Sequence, residues 1–229
     1  MRSQCDGGVW VIVPAYNEAR AIAGVISELE REDYRVVVVD DGSSDSTGKI
    51  AAECGAMVLS HPINLGQGAA LQTGLEFALS RGAEFLVTFD ADGQHRAADI
   101  ATLLAALQTC DADFALGSRF LGGAVNMPPA RRLLLRAATM FTRLTTGLAL
   151  TDAHNGLRAM TRRGAQHIGL RQNRMAHASE IVAQIAASGL ALVEVPVTIE
   201  YSRYSLAKGQ RSGDLLLILI DLFARRLHP

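Results

Sequence analysis

At residues 86–95 the chain reads Leu86-Val87-Thr88-Phe89-Asp90-Ala91-Asp92-Gly93-Gln94-His95. The apolar, β-branched and aromatic start predicts a buried strand, which stops at two aspartates separated by one alanine. Residues i and i+2 of extended backbone face the same side, so Asp90 and Asp92 can converge on one point. Two carboxylates held together favour a cation between them, and Mg²⁺ or Mn²⁺ binds such oxygens together with phosphate oxygens. The stretch therefore predicts a metal site for a phosphorylated substrate, although Asp and Gly also form ordinary acidic turns.

The composition fits one globular α/β domain. Of the 229 residues, 49% are hydrophobic and 20% are charged, which is enough to bury a full core. The net charge of -1 excludes a globally basic protein, so we expect no nucleic-acid partner. The cysteines lack the spacing of zinc sites, and their odd number does not indicate a disulfide framework. Because we find no signal peptide and no apolar run of the ~20 residues that span a bilayer, we expect a cytoplasmic protein.

Apolar runs alternate with helical patterns along the chain, which predicts a mostly parallel sheet with helices on both faces. We expect strands at residues 9–13, 35–39, 56–60, 86–89, 114–117 and 190–197. We expect helices at residues 19–30, 46–54, 69–81, 97–108, 131–148, 176–188 and 214–227. The glycines and prolines between residues 122 and 129 indicate an irregular crossing after the strand at 114–117. Polar clusters follow several of these strands, and open α/β sheets bind their ligands at that rim.

The glycines after the third strand do not form the dinucleotide-binding fingerprint. That fingerprint follows the first strand, whereas Gly66, Gly68 and Gly74 follow the third. They either bring the backbone close to a ligand or simply mark the start of a helix.

Two predicted helices could contact a membrane. In the helix at 131–148, Arg132, Arg136 and Arg143 fall on one stripe. Such a stripe is typical both of a solvated basic face and of a helix that lies on an anionic membrane. The helix at 214–227 would be roughly 20 Å long, shorter than the ~30 Å hydrocarbon core. It could lie on a membrane or pack on the core, but it could not cross a bilayer.

Four ordered motifs resemble those of the family 2 glycosyltransferases of GT-A fold. They are Pro14-Ala15-Tyr16-Asn17-Glu18, Asp40-Asp41-Gly42-Ser43, the acidic stretch at residues 90–95 and Gly117-Ser118-Arg119. The resemblance covers about residues 9–210, and the nearest branch transfers sugars to polyprenyl or dolichyl phosphate. It implies a GT-A, Rossmann-like, mostly parallel sheet with helices on both faces, in a single domain over residues 1–229. Residues 9–120 would form the nucleotide-sugar-binding half, 121–211 the acceptor side, and 212–229 an amphipathic helix for interfacial contact or packing.

The same resemblance assigns roles to individual residues. The residues implied in binding the nucleotide sugar are Pro14, Tyr16, Glu18, Val39, Asp41, Asp90, Ala91, Asp92 and Gln94, with Arg203 and Lys208 closing over the diphosphate. The implied ligands of Mg²⁺ or Mn²⁺ are Asp90, Asp92 and Gln94. Arg119 and Arg131 would bind the acceptor's lipid phosphate. The residues implied in catalysis are Asp90, Asp92 and Arg119.

The implied activity is metal-dependent, inverting transfer of a sugar from a UDP- or GDP-linked donor to a polyprenyl phosphate at the cytoplasmic membrane face. Such an acceptor implies peripheral membrane contact, and a membrane-protein partner or a homo-oligomer is a further expectation. Two departures leave the acceptor open: Leu135 stands where that branch tends to have serine, and residues 204–210 lack the Gly-x-Ser-Lys pattern. The alternative acceptor is a hydroxyl on a glycan or small molecule.

Two other functions compete with this interpretation. Residues 89–93 look like the nucleophile motif of haloacid-dehalogenase phosphatases, but that motif normally lies on the first strand and continues with threonine or valine. The other competitor is a protein that binds a nucleotide sugar without turnover, against which the metal pair and the basic residues argue. We expect His95 and His154, which lie in polar loops, to be hydrogen-bonded or exposed.

Overall fold

The computed structural model describes residues 8–172 and 176–201, in which seven strands form one mixed sheet. The strands are β1 (Val9–Ala15), β2 (Arg35–Asp40), β3 (Met57–Ser60), β4 (Phe85–Thr88), β5 (Phe114–Val125), β6 (Arg158–Thr161) and β7 (Leu192–Glu200). The helices are α1 (Ile22–Glu30), α2 (Thr47–Glu53), α3 (Gln67–Ser80), α4 (Ala98–Thr109), α5 (Pro129–Thr146), α6 (Arg162–Ala165) and α7 (Ala176–Ser188). The helix predicted at 214–227 lies outside the described residues.

The sheet is covered on both faces because successive side chains of its strands enter two different cores. Val11 and Val13 of β1 pack in a core that includes apolar residues of α1, α2 and α4. Trp10 and Ile12 point to the opposite face, where α3, α6 and α7 supply the second core. Continuous apolar strands cannot leave either face in water, so this three-layer arrangement follows from the sequence pattern. The predicted α/β class, with helices on both faces of the sheet, is confirmed.

The sheet order is β3-β2-β1-β4-β6-β5-β7, and β6 runs antiparallel to both of its neighbours. The pairs between β1, β2, β3 and β4 and the pair β5 with β7 are parallel. Because β6 is antiparallel, its first residue, Arg158, lies opposite Thr88 near the carboxyl end of β4. The start of β6 therefore lies at the same rim of the sheet as the carboxyl ends of β1, β2 and β4.

The irregular crossing expected at residues 122–129 is wrong for residues 122–125. Strand β5 continues to Val125 and pairs with β7, with a register shift between Ser118 and Gly123. Gly122 lies against the backbone of Val197 so closely that an added Cβ would overlap it. The glycines therefore permit a bulge and a close approach of two strands, and residue 120, the expected boundary between two halves, lies within a strand.

Candidate active site

The carboxyl end of β4 delivers Asp90 and Asp92 to the rim of the sheet. Asp90 accepts a hydrogen bond from Gln67 Nε2 at 3.0 Å, and its Oδ2 lies 3.0 Å from His95 Nε2. Asp92 accepts from Gln94 Nε2 at 2.6 Å and from the Gln94 backbone N–H at 3.1 Å. Within residues 8–172 and 176–201, neither carboxylate forms an ion pair with arginine or lysine. The pair is therefore oriented by hydrogen bonds and not by ion pairs with arginine or lysine among the described residues.

The electrostatics of the pair favour a bound cation. Burial and the charge of Asp90 raise the pKa of Asp92 to about 6. Burial also disfavours the charged form of Asp90, but the hydrogen bond and charge of His95 outweigh it and lower the pKa of Asp90. The charge of one ionised carboxylate thus disfavours ionisation of the other, and a bound cation would offset that repulsion. An oxygen-only donor set of this kind fits Mg²⁺ or Mn²⁺.

The number of protein ligands also suits a cation that is shared with a substrate. In the part of the chain that the structure describes, no group of three or more His, Cys, Asp or Glu side chains could hold a metal ion. A cation held by Asp90 and Asp92 would therefore take its other ligands from phosphate oxygens and water, as Mg²⁺ does in phosphate-binding sites. The residues present fit such a cation.

The loops after β1 and β2 are tied together beside the acidic pair. The backbone N–H of Asn17 donates to Ser43 Oγ at 2.9 Å, and that of Glu18 donates to Thr47 Oγ1 at 2.8 Å. Glu18 is only 9% exposed, and its charge helps to raise the pKa of Asp92. Tyr16 is 45% exposed at the same rim. The two loops thus form one wall of the site, with an aromatic ring at its edge.

Asp41 differs from the expectation of an acceptor that is open to a nucleotide base. It is 3% exposed and accepts hydrogen bonds from His61 Nδ1 at 2.7 Å, the Leu65 N–H at 2.9 Å and the Gly66 N–H at 2.7 Å. His61 also reaches Thr73 Oγ1 of α3 through Nε2, at 3.0 Å. In this arrangement Asp41 fixes the loop before α3, and direct pairing with a base would require that loop to move.

Several residues expected at the nucleotide have side chains in the core. Val39 is fully buried and Ala91 is 4% exposed, so either could reach a nucleotide only through its backbone. The glycines before and within α3 also serve packing. An added Cβ at Gly68 would overlap the carbonyl oxygen of Gln172, and one at Gly74 would overlap Ile12 of β1. Gly68 and Gly74 therefore allow close packing of α3, a role that neither of the two interpretations included, and ligand contact by this loop stays a prediction.

Arg119 differs from the expectation of an open phosphate-binding side chain. It is 7% exposed and donates from Nε to Asp152 Oδ2 at 2.5 Å, from Nη1 to the Tyr201 hydroxyl at 2.7 Å and from Nη2 to the His154 carbonyl at 2.9 Å. Burial works against its charge, but Asp152 outweighs burial and raises the pKa of Arg119. Arg119 therefore fixes the segment that begins at Asp152, and its direct contact with a lipid phosphate stays a prediction.

Arg131 lies on the other side of the same tyrosine. Its Cζ atom is 5.0 Å from the centroid of the Tyr201 ring, within the range of a cation–π contact. Its Nε atom is buried without a hydrogen-bond partner among the described residues. The structure thus brings Arg119 and Arg131 together around Tyr201, whereas Arg203 and Lys208 lie outside the described residues.

Sequence reasoning missed two residues near the acidic pair, Gln67 and Arg158, and the expectation for His154 is wrong for its ring. Gln67, at the start of α3, donates a hydrogen bond to Asp90. Only the glycines of this loop were assigned a role from the sequence. Arg158 begins β6, which is not among the predicted strands, and its charge acts on Asp90. His154 is neither hydrogen-bonded nor exposed through its ring, because both ring nitrogens are buried without a partner in the described part of the chain. The cluster of polar residues at 152–158 was the feature of the sequence that could have indicated functional residues in this segment.

A family model described as glycosyl transferase family 2 matches residues 10–169. The chain belongs to glycosyl transferase family 2. A UDP-N-acetylglucosamine–dolichyl-phosphate N-acetylglucosaminyltransferase of Methanococcus voltae is 32% identical to it, over 89% of this chain and 90% of that protein. An undecaprenyl-phosphate mannosyltransferase of Micrococcus luteus is 31% identical, over 91% of this chain and 89% of that protein.

The solved structures agree with the family assignment at the level of the fold. Glucosyl-3-phosphoglycerate synthase from Mycobacterium tuberculosis, crystallised with Mn²⁺, UDP and phosphoglyceric acid, matches with a TM-score of 0.70 at 20% identity, over 93% of this chain and 78% of that one. This family 2 glycosyltransferase therefore has the predicted GT-A fold, and the phosphatase alternative is wrong. No helix in the described residues is both long and apolar enough to cross a membrane.

Proposed function

We propose that this family 2 glycosyltransferase moves a hexose from a UDP- or GDP-linked donor to a polyprenyl phosphate, with inversion at the anomeric carbon. The observation that supports it most is the acidic pair, Asp90 and Asp92, held side by side at the rim by Gln67, His95 and Gln94. The relatives from M. voltae and M. luteus are named for transfer to dolichyl phosphate and undecaprenyl phosphate. Their names support the same class of acceptor here.

The acidic pair would hold Mg²⁺ or Mn²⁺ against the donor's diphosphate. When bound, such a cation supplies positive charge to the departing nucleoside diphosphate. Gln67 and His95 restrain Asp90, and Gln94 restrains Asp92, so both carboxylates keep their orientation before substrate arrives. Tyr16 offers a ring at the rim on which a base could stack. The displacement would be a single in-line step without a covalent enzyme intermediate.

A phosphate acceptor suits a site that offers no obvious general base. A phosphate monoester with a second pKa of about 6 is already anionic near pH 7, whereas a hydroxyl must lose its proton in the reaction. His95 is engaged with Asp90. Burial, helped by the charges of Arg158 and Arg119, lowers the pKa of His154 to about 4, which makes it a weak base. A hydroxyl acceptor on a glycan or small molecule is the alternative.

The donor half of the proposal can be tested by ligand-induced stabilisation. We expect one UDP- or GDP-sugar, supplied with Mn²⁺ at about 100 times its Kd, to stabilise the protein by about 2.7 kcal/mol, because it binds only the native state. For a domain of this size that raises the melting temperature by about 5–10 °C. The measurement is a thermal-shift screen of nucleotide sugars with Mn²⁺ and, in parallel, with EDTA. A flat response to every nucleotide sugar would contradict the donor site.

Membrane contact is a second part of the proposal, and α5 is its candidate surface. Leu133, Met140 and Leu144 are 72%, 55% and 73% exposed along one stripe of this helix. Arg132 and Arg136 are exposed beside them. The predicted third member of the basic stripe, Arg143, instead donates to the carbonyl of Leu150. An exposed apolar stripe flanked by arginines suits the interface of an anionic bilayer.

We expect the double variant Leu133→Gln/Leu144→Gln to lose most of its binding to anionic vesicles, because it removes two of the three large apolar side chains of the stripe. The measurement is co-sedimentation with phosphatidylglycerol vesicles, compared with phosphatidylcholine vesicles. Met57→Gln, which changes an exposed apolar residue on β3, is the matched control. Unchanged sedimentation of the double variant, or a wild type that forms dimers through this face, would count against membrane contact by α5.

A further inference from the structure

Arg158 is a largely buried cation whose guanidinium has no hydrogen-bonding partner among the residues that the structure describes. It is 3% exposed, yet its guanidinium forms neither a hydrogen bond nor an ion pair with any residue that the structure describes. Burial lowers its pKa to about 10, which still leaves it fully charged at neutral pH. A charge that is largely removed from water and lacks a direct partner is costly, and proteins rarely keep one without a reason.

The other buried charges in this region have partners. Arg119 and Asp152 bind each other, and Arg119 also donates to the Tyr201 hydroxyl and the His154 carbonyl. Arg158 is the exception among them. The charges of Asp90 and Asp152 do act on it, but neither carboxylate makes an ion pair with it. No residue in the described part of the chain therefore accepts a hydrogen bond from its guanidinium.

The position of Arg158 directs it toward the acidic pair. It lies opposite Thr88, two residues before Asp90, and opposite residues of paired strands share a face of the sheet. The segment that leads into it is pressed against Asp90, because an added Cβ at Gly156 would overlap the Asp90 carboxylate. Thr88 Oγ1 donates to the Gly156 carbonyl at 2.6 Å and fixes this approach. Arg158 therefore enters the site on the side away from the loops of β1 and β2.

A second polar group beside Arg158 also lacks a partner. Both ring nitrogens of His154 are buried without a hydrogen bond among the described residues, and the charge of Arg158 acts on this ring. A guanidinium and a neutral imidazole that lie near each other can both donate N–H groups to one ligand. Donors of this kind suit a phosphate oxygen, which can accept from both.

We propose that Arg158 binds a phosphate oxygen of the substrate at the reaction centre, with His154 as a second donor. The proposal rests on the proposed function, which supplies two sources of that oxygen: the donor's diphosphate and the acceptor's phosphate. On binding, the anion provides the partner that Arg158 lacks among residues 8–172 and 176–201. Arg158 is then a binding residue of the transfer site, distinct from Arg119, whose contacts are internal.

The test compares Arg158→Met and Arg158→Lys with Arg119→Met and with Arg31→Met, an exposed arginine at the end of α1. Calorimetry measures the Kd of UDP or GDP with Mn²⁺, and separately of farnesyl phosphate, a short isoprenyl phosphate. We expect Arg158→Met to raise the Kd of one of these ligands at least about tenfold. Arg158→Lys should recover part of the lost affinity. Arg31→Met should bind as wild type does.

Melting temperatures without ligand separate this role from a structural one. Arg119→Met should melt well below wild type because it leaves Asp152 buried and unpaired, whereas Arg158→Met should not, since no internal partner loses a bond. Weaker binding of the nucleoside diphosphate by Arg158→Met would show that Arg158 binds an oxygen of the donor. Weaker binding of farnesyl phosphate would show that it binds an oxygen of the acceptor. Unchanged affinity for both, or a low melting temperature of unliganded Arg158→Met, would overturn the proposal. If wild type binds neither a nucleoside diphosphate nor farnesyl phosphate, that result contradicts the proposed function itself and, with it, the role of Arg158.

Discussion

We expect Asp92→Asn to lose at least about 100-fold in the rate of sugar transfer while the protein remains folded. The substitution keeps the shape of the side chain and its hydrogen bond to the Gln94 backbone N–H, but it removes one of the two charges that would hold the cation. Removing one preorganised electrostatic group from a site of this kind typically costs 10²–10³ in rate. The measurement is the initial rate of transfer with saturating donor and Mn²⁺.

The stability of the same variant provides an internal check. The pKa of Asp92 is about 6 in the folded protein, above its ordinary 3.8, so its ionisation destabilises the fold as pH rises from about 4 to 6. Asp92→Asn removes that cost, and at pH 8 it should melt at or above the temperature of wild type without metal. Asp111→Asn is the matched control, since Asp111 is exposed and its φ of 48° suits asparagine. Near-normal transfer by Asp92→Asn in EDTA would refute the metal hypothesis.

The acidic pair and the sheet around it could be predicted because both are encoded locally. Apolar runs such as residues 35–39 are long enough to show burial on both faces, and the end of a strand is visible where Asp90 follows Phe89. The predicted strands at 9–13, 35–39 and 86–89 correspond to β1, β2 and β4 within a few residues. That was sufficient to place the polar ends of three strands on one rim.

The partners of the charged residues could not be predicted, because they come from distant parts of the chain. Arg119 meets Asp152 and Tyr201, which lie 33 and 82 residues away in sequence. Asp41 is enclosed by a loop more than 20 residues later. The short strand β6 has no clear strand pattern in the sequence. Its antiparallel insertion between β4 and β5, which brings Arg158 to the rim, could therefore not be predicted either. Motif matching identified residues in the right region without showing which are free to meet a substrate.

The chemical group of the acceptor should have a large effect on the efficiency of sugar transfer. We expect wild type to glycosylate polyprenyl phosphate and to use the corresponding dephosphorylated alcohol about 10⁴-fold less efficiently, because the alcohol offers no anion and no ready nucleophile. A site built for a polar group rejects the analogue that lacks it by 10⁴–10⁵, since its own buried donors are left unpaired. The measurement is kcat/KM for both acceptors, offered side by side with the donor identified by thermal shift.

Arg131→Ala tests whether the arginine beside Tyr201 contributes to this preference. Its guanidinium lies on the Tyr201 ring with Nε unpartnered among the described residues, so it can donate to a phosphate without breaking an internal hydrogen bond of that atom. Loss of a charge-assisted hydrogen bond should lower kcat/KM for the phosphate acceptor by about 10- to 100-fold and leave donor affinity unchanged. Arg31→Ala serves as the control for loss of a positive charge. Equal use of the alcohol by wild type, or an Arg131→Ala enzyme with unchanged acceptor kinetics, would favour a hydroxyl acceptor instead.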